Sequence, residues 1–408
     1  MRFVPALIAS ALATAALADE PIVTKPLAPL RTGPAALPIE LVESWPSETK
    51  LDHADIRDAK DVWLEMVEGA KKSLDFAEMY AVSEPGTALD KIVKALEAAA
   101  ARGVKIRWLG EANFYKKLPE LMDRFTKLPG AEVRRLGVKG AFHHAKYFLV
   151  DGEQGFIGSQ NFDWKSLEHI QELGIRVRIP HVVRALRDVF ETDWALAGGG
   201  DKGARVKAAG TDKACDDCAA PDVGRITFAA SPKGLLHDET NWDLPRMVGL
   251  IDSAKKTVRV QVMTYGGAPK FPDLEQALQR AAARGVKVEL LVAHWIKRKH
   301  TAAGIKKVHA PPLLTAKILT VPPHSKGHIP FARVIHAKYL VVDGARAWLG
   351  TSNWERGYFH SNRNVGVIVE GGAIPARLDA FHADNWNGPY VEVVDPAKEY
   401  EAPNVGED

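Results

Sequence analysis

The stretch HAKYFLVD at positions 144–151 is followed by GSQN at 158–161, and the stretch HAKYLVVD at 336–343 is followed by GTSN at 350–353. Histidine, lysine, aspartate, glycine and asparagine therefore recur at the same offsets in two distant parts of the chain. In both copies the four residues between lysine and aspartate are apolar, which predicts a buried strand with polar residues at its beginning. We expect each strand to hold an imidazole and an ammonium group rigidly at one edge of a sheet.

Shorter phrases repeat with a similar offset, which indicates a duplicated chain. AKKS at 70–73 returns as AKKT at 254–257, and ARGVK at 101–105 returns at 283–287. A period this long is typical of a duplicated domain and not of a solenoid repeat. A predicted helix at 87–102, closed by a glycine and followed by a predicted strand at 104–109, indicates that the repeated unit is an α/β lobe.

The repeated motif, H-x-K-x4-D with a trailing G-[ST]-x-N, resembles the signature of the phospholipase D superfamily. The resemblance implies two phospholipase D-like α/β/α sandwich lobes that are related by a pseudo-twofold axis and share one active site. We place the N-terminal lobe at residues 19–200 and the C-terminal lobe at 225–395. A glycine-rich, polar linker at 201–224 joins them, and we expect a mobile acidic tail at 396–408.

The composition is that of an ordinary globular protein, because 46% of the 408 residues are hydrophobic and 26% are charged. These fractions exclude fibrous and disordered chains. The first residues differ, since Arg2 precedes an apolar run that ends in small residues before Asp19. We interpret residues 1–18 as a secretory signal peptide, so the mature protein would be secreted or periplasmic. An uncleaved membrane anchor is the alternative interpretation.

The net charge of +3 indicates little about partners, but the basic residues are unevenly distributed. No Asp or Glu occurs between Glu289 and Asp343, an interval that contains Lys297, Arg298, Lys299, Lys306, Lys307, Lys317, Lys326, Arg333 and Lys338. This positive stretch leads to the second motif and suits a polyanionic substrate. A solvated basic loop without a partner is the alternative.

Two cysteines, Cys215 and Cys218, form a C-x-x-C pair within the predicted linker. In an exported protein this spacing favours a local disulfide bond. A zinc site would need further ligands nearby, and a thioredoxin-like redox role would need a different sequence context. These two functions are the alternatives to the disulfide.

Two histidines and two lysines suit the chemistry of a phosphodiester. A neutral imidazole is a competent nucleophile that can form a covalent intermediate, and a second imidazole can protonate the departing alkoxide and later activate water. Ammonium groups and hydrogen-bond donors can stabilise the phosphoryl oxygens without a metal ion or cofactor. The residues expected in these roles are the catalytic His144, Lys146, His336 and Lys338, the phosphate-binding Ser159, Asn161, Ser352 and Asn353, and the supporting Asp151, Asp343 and Glu172.

The superfamily resemblance implies that His144 is the nucleophile and that His336 is the general acid and base. The motif aspartates lie at the far end of each predicted strand, so we assign them structural roles. Glu172 matches an acidic position that orients a histidine in the family, whereas the second copy has Asn364 there. We therefore expect the two histidines to differ in their proton affinities.

Three further stretches narrow the resemblance: LVESWP at 41–46, NFDWKSL at 161–167 and IPFARV at 329–334. They are similar to the animal lysosomal phospholipase D-like exonucleases and their poxvirus envelope relatives. This likeness implies an exported enzyme that acts on the 5′ ends of single-stranded DNA or RNA, or on phospholipid head groups. The complete motif aspartate Asp343 is a departure from that subgroup.

Three functions follow from these patterns. A metal-independent exonuclease is favoured by the subgroup likeness and by the basic stretch. A phospholipase D or phosphatidyl transferase would need an exposed apolar rim for transient contact with an anionic membrane, and PPLL at 311–314 is a candidate. A non-catalytic binding protein is the third alternative, against which the two intact motifs argue. The sequence predicts no oligomeric state.

Overall fold

The computed structural model describes residues 37–137, 142–199, 223–266 and 271–406. The predicted signal peptide and both cysteines lie outside these ranges. The strands of the first half are β1 (Ile39–Ser44), β2 (Arg57–Asp58), β3 (Ser73–Glu78), β4 (Ala81–Val82), β5 (Lys105–Glu111), β6 (Ala131–Leu136), β7 (Tyr147–Val150), β8 (Gln154–Gly158), β9 (Phe162–Asp163) and β10 (Glu172–Val177). Its helices are α1 (Ala59–Glu68), α2 (Ala88–Ala101), α3 (Ala112–Tyr115), α4 (Glu120–Phe125), α5 (Trp164–Glu168) and α6 (Pro180–Ala197).

The second half repeats this alternation of strands and helices. Its strands are β11 (Arg225–Ser231), β12 (Thr257–Val262), β13 (Lys287–Ala293), β14 (Leu314–Leu319), β15 (Tyr339–Val342), β16 (Arg346–Gly350), β17 (Asn364–Glu370) and β18 (Val391–Val393). Its helices are α7 (Asp243–Asp252), α8 (Asp273–Ala283), α9 (Lys299–Val308), α10 (Arg356–His360) and α11 (Ala373–Asn387). Short 3₁₀ turns cover Lys233–Leu235, Glu239–Asn241 and His294–Lys297.

Two eight-stranded sheets carry the fold and share one strand order. The first sheet runs β2-β1-β10-β8-β7-β3-β5-β6, and the second runs β11-β17-β16-β15-β12-β13-β14-β18. The run β1-β10-β8-β7-β3-β5-β6 therefore matches β11-β17-β16-β15-β12-β13-β14 strand for strand. The predicted α/β fold with two duplicated lobes is confirmed.

The repeated ARGVK phrase marks the same structural event in both lobes. Helix α2 ends at Ala101 and helix α8 ends at Ala283, and the glycines that follow, Gly103 and Gly285, have φ angles of 90° and 86°. Glycine adopts this left-handed conformation at no steric cost, and the conformation ends a helix. The chain then enters β5 or β13 directly.

Apolar side chains form separate cores in each lobe and one core that both lobes share. Trp63 of α1 belongs to the cluster that joins α1 and α2 to the first sheet, and Met247 of α7 belongs to the cluster that joins α7 and α8 to the second. A third cluster contains residues of both lobes, including Phe190 of α6 and Phe381 of α11. The lobes are therefore packed together through apolar contacts. Within the described ranges no helix is both long and apolar enough to span a bilayer.

Two short parallel backbone pairings join the lobes beside the motif histidines. The amide of His144 donates to the carbonyl of Arg363 at 3.0 Å, and the amide of His336 donates to the carbonyl of Gln171 at 2.8 Å. Arg363 and Gln171 directly precede β17 and β10. Each histidine is thereby fixed against the beginning of a strand from the opposite lobe.

Buried polar side chains support these two pairings. Gln171 donates from Nε2 to Oδ1 of Asn385 at 2.9 Å. At the equivalent place across the pseudo-twofold axis, the guanidinium of Arg363 donates to both carboxylate oxygens of Asp193 at 2.8 Å. Burying such groups without partners would cost several kcal/mol, on the order of 1–3 kcal/mol for each unmade hydrogen bond. They are satisfied when the lobes dock in this register.

The segment from residue 396, predicted as a mobile acidic tail, is packed on the C-terminal lobe as far as residue 406. Tyr400 packs against the apolar core of this lobe, and its hydroxyl accepts from the amide of Asp395 at 2.8 Å. Val405 is buried, and its carbonyl accepts from the amide of Phe331 at 2.6 Å. Mobility of this segment stays a prediction, and the contacts of Tyr400 and Val405 are the observations that weigh against it.

Replacing Arg363 with Met should destabilise the protein strongly, because Asp193 would remain as a buried, unpaired carboxylate. We expect a loss of about 3–5 kcal/mol in the free energy of unfolding, measured by chemical denaturation. Arg280→Met is the matched control, since Arg280 forms a solvent-exposed ion pair with Asp252 that is worth about 0–1 kcal/mol. Equal losses in the two variants would contradict the role given to the buried pair.

Candidate active site

The four predicted catalytic side chains lie together where the lobes meet. His144 and Lys146 directly precede β7, and His336 and Lys338 directly precede β15. All four are buried, with exposed fractions of 7% for each histidine and 1% for each lysine. Burial lowers the pKa of His144, and the nearby charges of Lys146, Lys338 and His336 lower it further. The structure thus brings both motifs into one buried polar site.

Each histidine is held by a side chain of the other lobe. Nδ1 of His144 lies 2.9 Å from Oδ1 of Asn364, and Nδ1 of His336 lies 3.0 Å from Oε2 of Glu172. The cross-lobe backbone pairings position both partners. From the sequence, Glu172 was expected to orient a histidine, and the structure places it on the histidine of the second motif.

The hydrogen bonds of Asn364 identify the tautomer of His144. The amide nitrogen of Asn364 donates to the carbonyl of Tyr358 at 2.8 Å, and the hydroxyl of Thr351 donates to its Oδ1 at 2.9 Å. The oxygen of the amide therefore faces His144, so Nδ1 of the imidazole must donate. This leaves the lone pair of Nε2 free toward the site, which is the state required of a nucleophile.

The two histidines differ in their electrostatic surroundings. Burial and the ammonium of Lys338 lower the pKa of His336 to about 4, while the carboxylate of Glu172 opposes this shift. Burial alone would raise the pKa of Glu172, but His336 and Lys338 lower it overall, so Glu172 is the ionised partner. The corresponding partner of His144 is the neutral amide of Asn364. A carboxylate stabilises an imidazolium better than an amide does, so His336 is better suited to carrying a proton.

The lysines are held by their own motif segments. Nζ of Lys146 donates to the carbonyl of His144 at 2.6 Å, and Nζ of Lys338 donates to the carbonyl of His336 at 2.5 Å. Burial lowers the pKa of Lys146 to about 7, and it lowers the pKa of Lys338 as well. A bound phosphodiester anion would raise both pKa values, because a nearby negative charge favours the ammonium form. Among the described residues, no group of three or more His, Cys, Asp or Glu is arranged to hold a metal ion.

The four residues expected to bind phosphate divide into two kinds. In the described part of the chain, the buried Oδ1 atoms of Asn161 and Asn353 have no hydrogen-bond partner. The hydroxyl of Ser159 donates to the carbonyl of Leu173 and accepts from its amide, at 3.3 and 3.2 Å. The hydroxyl of Ser352 lies 3.5 Å from the carboxylate of Asp243. Both serines are buried, and phosphate binding by their hydroxyls stays a prediction.

The motif aspartates have matching structural roles. The carboxylate of Asp151 accepts from the amides of Lys72 and Ser73, within the AKKS phrase, at 2.6 and 2.9 Å. Asp343 accepts from the amides of Lys256 and Thr257 at 2.7 and 2.9 Å, at the second copy of that phrase. Each aspartate thus binds the start of the neighbouring strand, away from the histidines.

Two side chains at the site were not identified from the sequence. The ring of Tyr358 contacts the ring of His144 edge-on, with centroids 4.8 Å apart, and its hydroxyl accepts from Asn353 at 3.2 Å. Glu78 ends β3 beside Lys146 and is buried. A carboxylate at the end of an apolar strand was a usable signal for Glu78. Tyr358 lies on the short helix α10, for which the sequence offered no signal.

Part of the basic stretch contacts protein and not solvent. Lys297 pairs with Glu392 at 2.5 Å, and Arg333 is buried and donates to the carbonyl of Ser47 at 2.7 Å. Arg298, Lys299 and Lys326 are exposed. Lys297 and Arg333 are therefore engaged within the protein, and Arg298, Lys299 and Lys326 carry exposed positive charge.

Replacing Asp151 with Asn should lower stability and leave the chemical step intact. Burial alone would raise the pKa of Asp151, but the backbone amides of Ser73, Lys72 and Lys71 lower it overall. Its stabilising contribution is therefore present above the pKa of the unfolded chain and is lost as the pH falls through the pKa of the folded protein. We expect a loss of about 1–3 kcal/mol in the free energy of unfolding at pH 7.

The control for Asp151→Asn is Glu153→Gln, because the Glu153 side chain is 71% exposed. Denaturation at pH 7 and at pH 3 measures the stability difference, which should shrink at the lower pH. A variant of normal stability with a lost turnover rate would show that Asp151 acts in the chemistry.

Exchanging the two histidine partners should move the histidine pKa values in opposite directions. Glu172→Gln removes the carboxylate beside His336 and should lower its pKa, whereas Asn364→Asp adds one beside His144 and should raise its pKa by about 1–3 units. Nuclear magnetic resonance titration of ¹³C-labelled histidines, assigned with His144→Ala and His336→Ala, measures both shifts. Unchanged titration curves would contradict the crossed pairing.

Known proteins match this chain in both sequence halves. A family model described as "Cardiolipin synthase, PLD-like domain" matches residues 63–194 and 247–386, which together are more than half of the chain. The 5′-3′ exonuclease PLD3 of Homo sapiens is 27% identical over 410 residues, which cover 90% of this chain and 83% of the exonuclease. Phospholipase D Z of Dictyostelium discoideum is 28% identical over 363 residues, which cover 81% of this chain and 85% of that protein.

Solved structures show the same fold at low sequence identity. The phosphatidylserine synthase of Haemophilus influenzae superposes with a TM-score of 0.59 and 11% identity, covering 84% of this chain and 85% of the synthase. The polyphosphate kinase of Porphyromonas gingivalis has a TM-score of 0.55 and 12% identity, covering 89% of this chain and 50% of the kinase. Two lobes of one strand order, one motif from each lobe at a common site and the family match lead to one conclusion: this chain belongs to the phospholipase D superfamily and is a hydrolase that acts on phosphodiesters.

Proposed function

We propose that this protein is an exported exonuclease that shortens single-stranded nucleic acid through a covalent phosphohistidine intermediate. The observation that carries the proposal is the pair of imidazoles fixed across the lobe interface, one against an amide and one against a carboxylate. This arrangement separates a nucleophile from an acid and base. It also supports the roles that the family resemblance implies for His144 and His336.

In the first half-reaction, Nε2 of His144 attacks phosphorus while the bond from phosphorus to the leaving oxygen breaks. His336 donates a proton to that oxygen, and Glu172 stabilises the imidazolium that supplies it. The arriving phosphodiester anion raises the pKa of His336 from its low value in the free site, because a negative charge nearby favours the protonated form. The nitrogen–phosphorus bond then holds the remaining nucleotide on His144.

In the second half-reaction, the neutral His336 takes a proton from water. The resulting hydroxide attacks phosphorus, the nitrogen–phosphorus bond breaks, and His144 is regenerated with its lone pair. Lys146 and Lys338 neutralise the phosphoryl oxygens in both steps. Asn161 and Asn353 are the other proposed phosphate contacts, through the N–H groups of their amides, because a phosphoryl oxygen accepts hydrogen bonds and an amide oxygen cannot donate one. No step requires a metal ion or other cofactor.

The substrate is proposed from the relatives and from the surface. The match to a 5′-3′ exonuclease over 90% of this chain supports single-stranded nucleic acid. A second candidate substrate is a phospholipid head group, favoured by the match to a phospholipase D and by the apolar Leu313, which is 39% exposed beside two prolines. That alternative would include transient contact with an anionic membrane.

Export, domain boundaries and the disulfide are further parts of the proposal. The charged residue and apolar run within residues 1–18 support a cleaved signal peptide, which makes the mature protein secreted or periplasmic. Lobes at 19–200 and 225–395, joined by a linker at 201–224 that carries a Cys215–Cys218 disulfide, are consistent with such a compartment. Mass spectrometry of the exported protein with and without reductant tests the cleavage site and the disulfide.

The substrate is tested with purified mature protein in EDTA. One sample receives end-labelled single-stranded oligonucleotides and another receives phosphatidylcholine or phosphatidylglycerol vesicles. We expect stepwise shortening of the oligonucleotide and a loss of at least about 10³-fold in rate with His144→Ala, because covalent catalysis is removed. Release of head group alone would establish the lipid substrate. Activity that appears in neither sample until a metal is added would overturn the mechanism.

The intermediate is tested with His336→Ala and a p-nitrophenyl ester of thymidine 5′-phosphate. p-Nitrophenolate leaves without a proton, so His144 should still be nucleotidylated, while the second step lacks its base. We expect a burst of one equivalent of p-nitrophenolate and a thymidylate adduct on the peptide that contains His144. His144→Ala should give no burst. Steady turnover by His336→Ala, or an adduct elsewhere, would contradict the assigned roles.

A further inference from the structure

The two lobes differ at the strand end that lies beside the motif lysine. Ala77 of β3 pairs with Tyr147 of β7, so the next residue of β3, Glu78, lies beside Lys146. In the second lobe Gln261 pairs with Tyr339 in the same way, and the residue that ends β12 there is Val262. At this strand end the first lobe therefore has a carboxyl group, Glu78, and the second lobe has an apolar side chain, Val262.

Glu78 is deeply buried, and its carboxyl group is incompletely bonded. Its exposed fraction is 1%, and its Oε2 has no hydrogen-bond partner among the described residues. The amide of Phe162, which follows Asn161, interacts with the carboxyl group. An ionisable side chain enclosed this deeply is costly unless a charged partner is present. The partner that the geometry offers is the ammonium of Lys146.

We propose that Glu78 is a positioning residue that keeps Lys146 charged and directed toward the phosphoryl group, so that the lysine of the first lobe supplies most of the charge that binds a phosphodiester anion. This inference rests on the proposed function, because it concerns the same site. It assigns unequal tasks to the two motif lysines, because the anion is held mainly by Lys146, which has Glu78 beside it.

The surrounding charges support this division. Burial lowers the pKa of Lys146 to about 7, while Glu78 and Glu172 oppose the shift. Burial also lowers the pKa of Lys338. The charge of Glu172 opposes this shift, and the charge of Lys146 adds to it. Burial raises the pKa of Glu78, the ammonium of Lys146 opposes this, and Glu172 adds to it. Glu172 is bonded to His336, so Glu78 is the carboxyl group left for Lys146.

Glu78 and Lys146 titrate as a coupled pair. An arriving anion favours the proton on Lys146, and the ionised Glu78 then stabilises the ammonium. Affinity for the anion is present below the pKa of this pair and is lost as the pH rises through it. Removing the carboxyl group should move that loss toward acid by about 1–3 units, the usual effect of one opposite charge at short distance.

The test measures anion binding directly. Dimethyl phosphate, a phosphodiester that stays a monoanion from pH 4 to 9, is titrated into the full-length mature protein and followed by ³¹P nuclear magnetic resonance. We expect the wild-type affinity to fall above about pH 7, and the Glu78→Gln affinity to fall at least about one pH unit lower. At pH 7.5 Glu78→Gln should bind at least about tenfold more weakly than the wild type, and this ratio should shrink steadily as the pH is lowered toward 5.

The matched control is Asp75→Asn, which changes a buried carboxylate on the same strand that pairs with Arg107 away from the site. Its binding curve should overlay the wild type, and Glu78→Asp, which retains the charge, should recover most of the shift if Glu78→Gln proves unstable. Overlaying curves for Glu78→Gln and wild type, or equal shifts in Asp75→Asn, would overturn the inference. Normal anion binding without digestion of oligonucleotides would instead reject the proposed substrate and leave the role of Glu78 in place.

Discussion

The active site depends on two backbone hydrogen bonds that cross between the lobes, from His144 to Arg363 and from His336 to Gln171. They fix the main chain of each histidine against the strand whose first side chain holds its Nδ1. Small errors in the docking of the lobes would therefore break the backbone pairing, the side-chain partner and the imidazole orientation together. The shared apolar core and the buried Arg363–Asp193 pair keep that docking constant. Rigid donors held in this way need no reorganisation when charge develops during a reaction.

The two lobes have nearly the same backbone structure, but they differ in the charged side chains that they contribute to the site. Strand order and the aspartate contacts with backbone amides repeat almost without change. The side chains that set proton affinity do not repeat. The position of Glu172 is occupied by Asn364 in the second lobe, and the position of Glu78 is occupied by Val262. Glu172 and Glu78 both come from the first lobe. A symmetric scaffold thus supports an asymmetric distribution of protons, which the proposed pair of half-reactions with opposite proton transfers would require.

Much of the fold and of the central site could be predicted from the sequence, because repeated phrases, helix ends and motifs can be recognised in the sequence itself. The ARGVK phrase predicted a helix end and a strand start through the conformation of Gly103, and the two motifs predicted which four side chains would meet. The pairing of Glu172 with His336 could not be predicted, since it depends on how two lobes dock. The binding roles of Ser159 and Ser352 stay predictions, because a buried hydroxyl beside a motif can also serve the fold, as Ser159 does by bonding to the backbone of Leu173. The contacts of Tyr400 and Val405 could not be predicted, because the composition of the tail does not indicate which of its apolar residues reach the lobe.

The exchange of histidine partners between the lobes bears on how such a protein could arise. A single lobe could build this site only by associating with a second copy of itself, since the residue that orients its histidine would come from the neighbour. In such a homodimer every substitution would appear on both sides, so both histidines would have identical partners. Once two copies are fused in one polypeptide, each can mutate alone. Glutamate on one side and asparagine on the other is a combination that a symmetric dimer of identical subunits could never adopt.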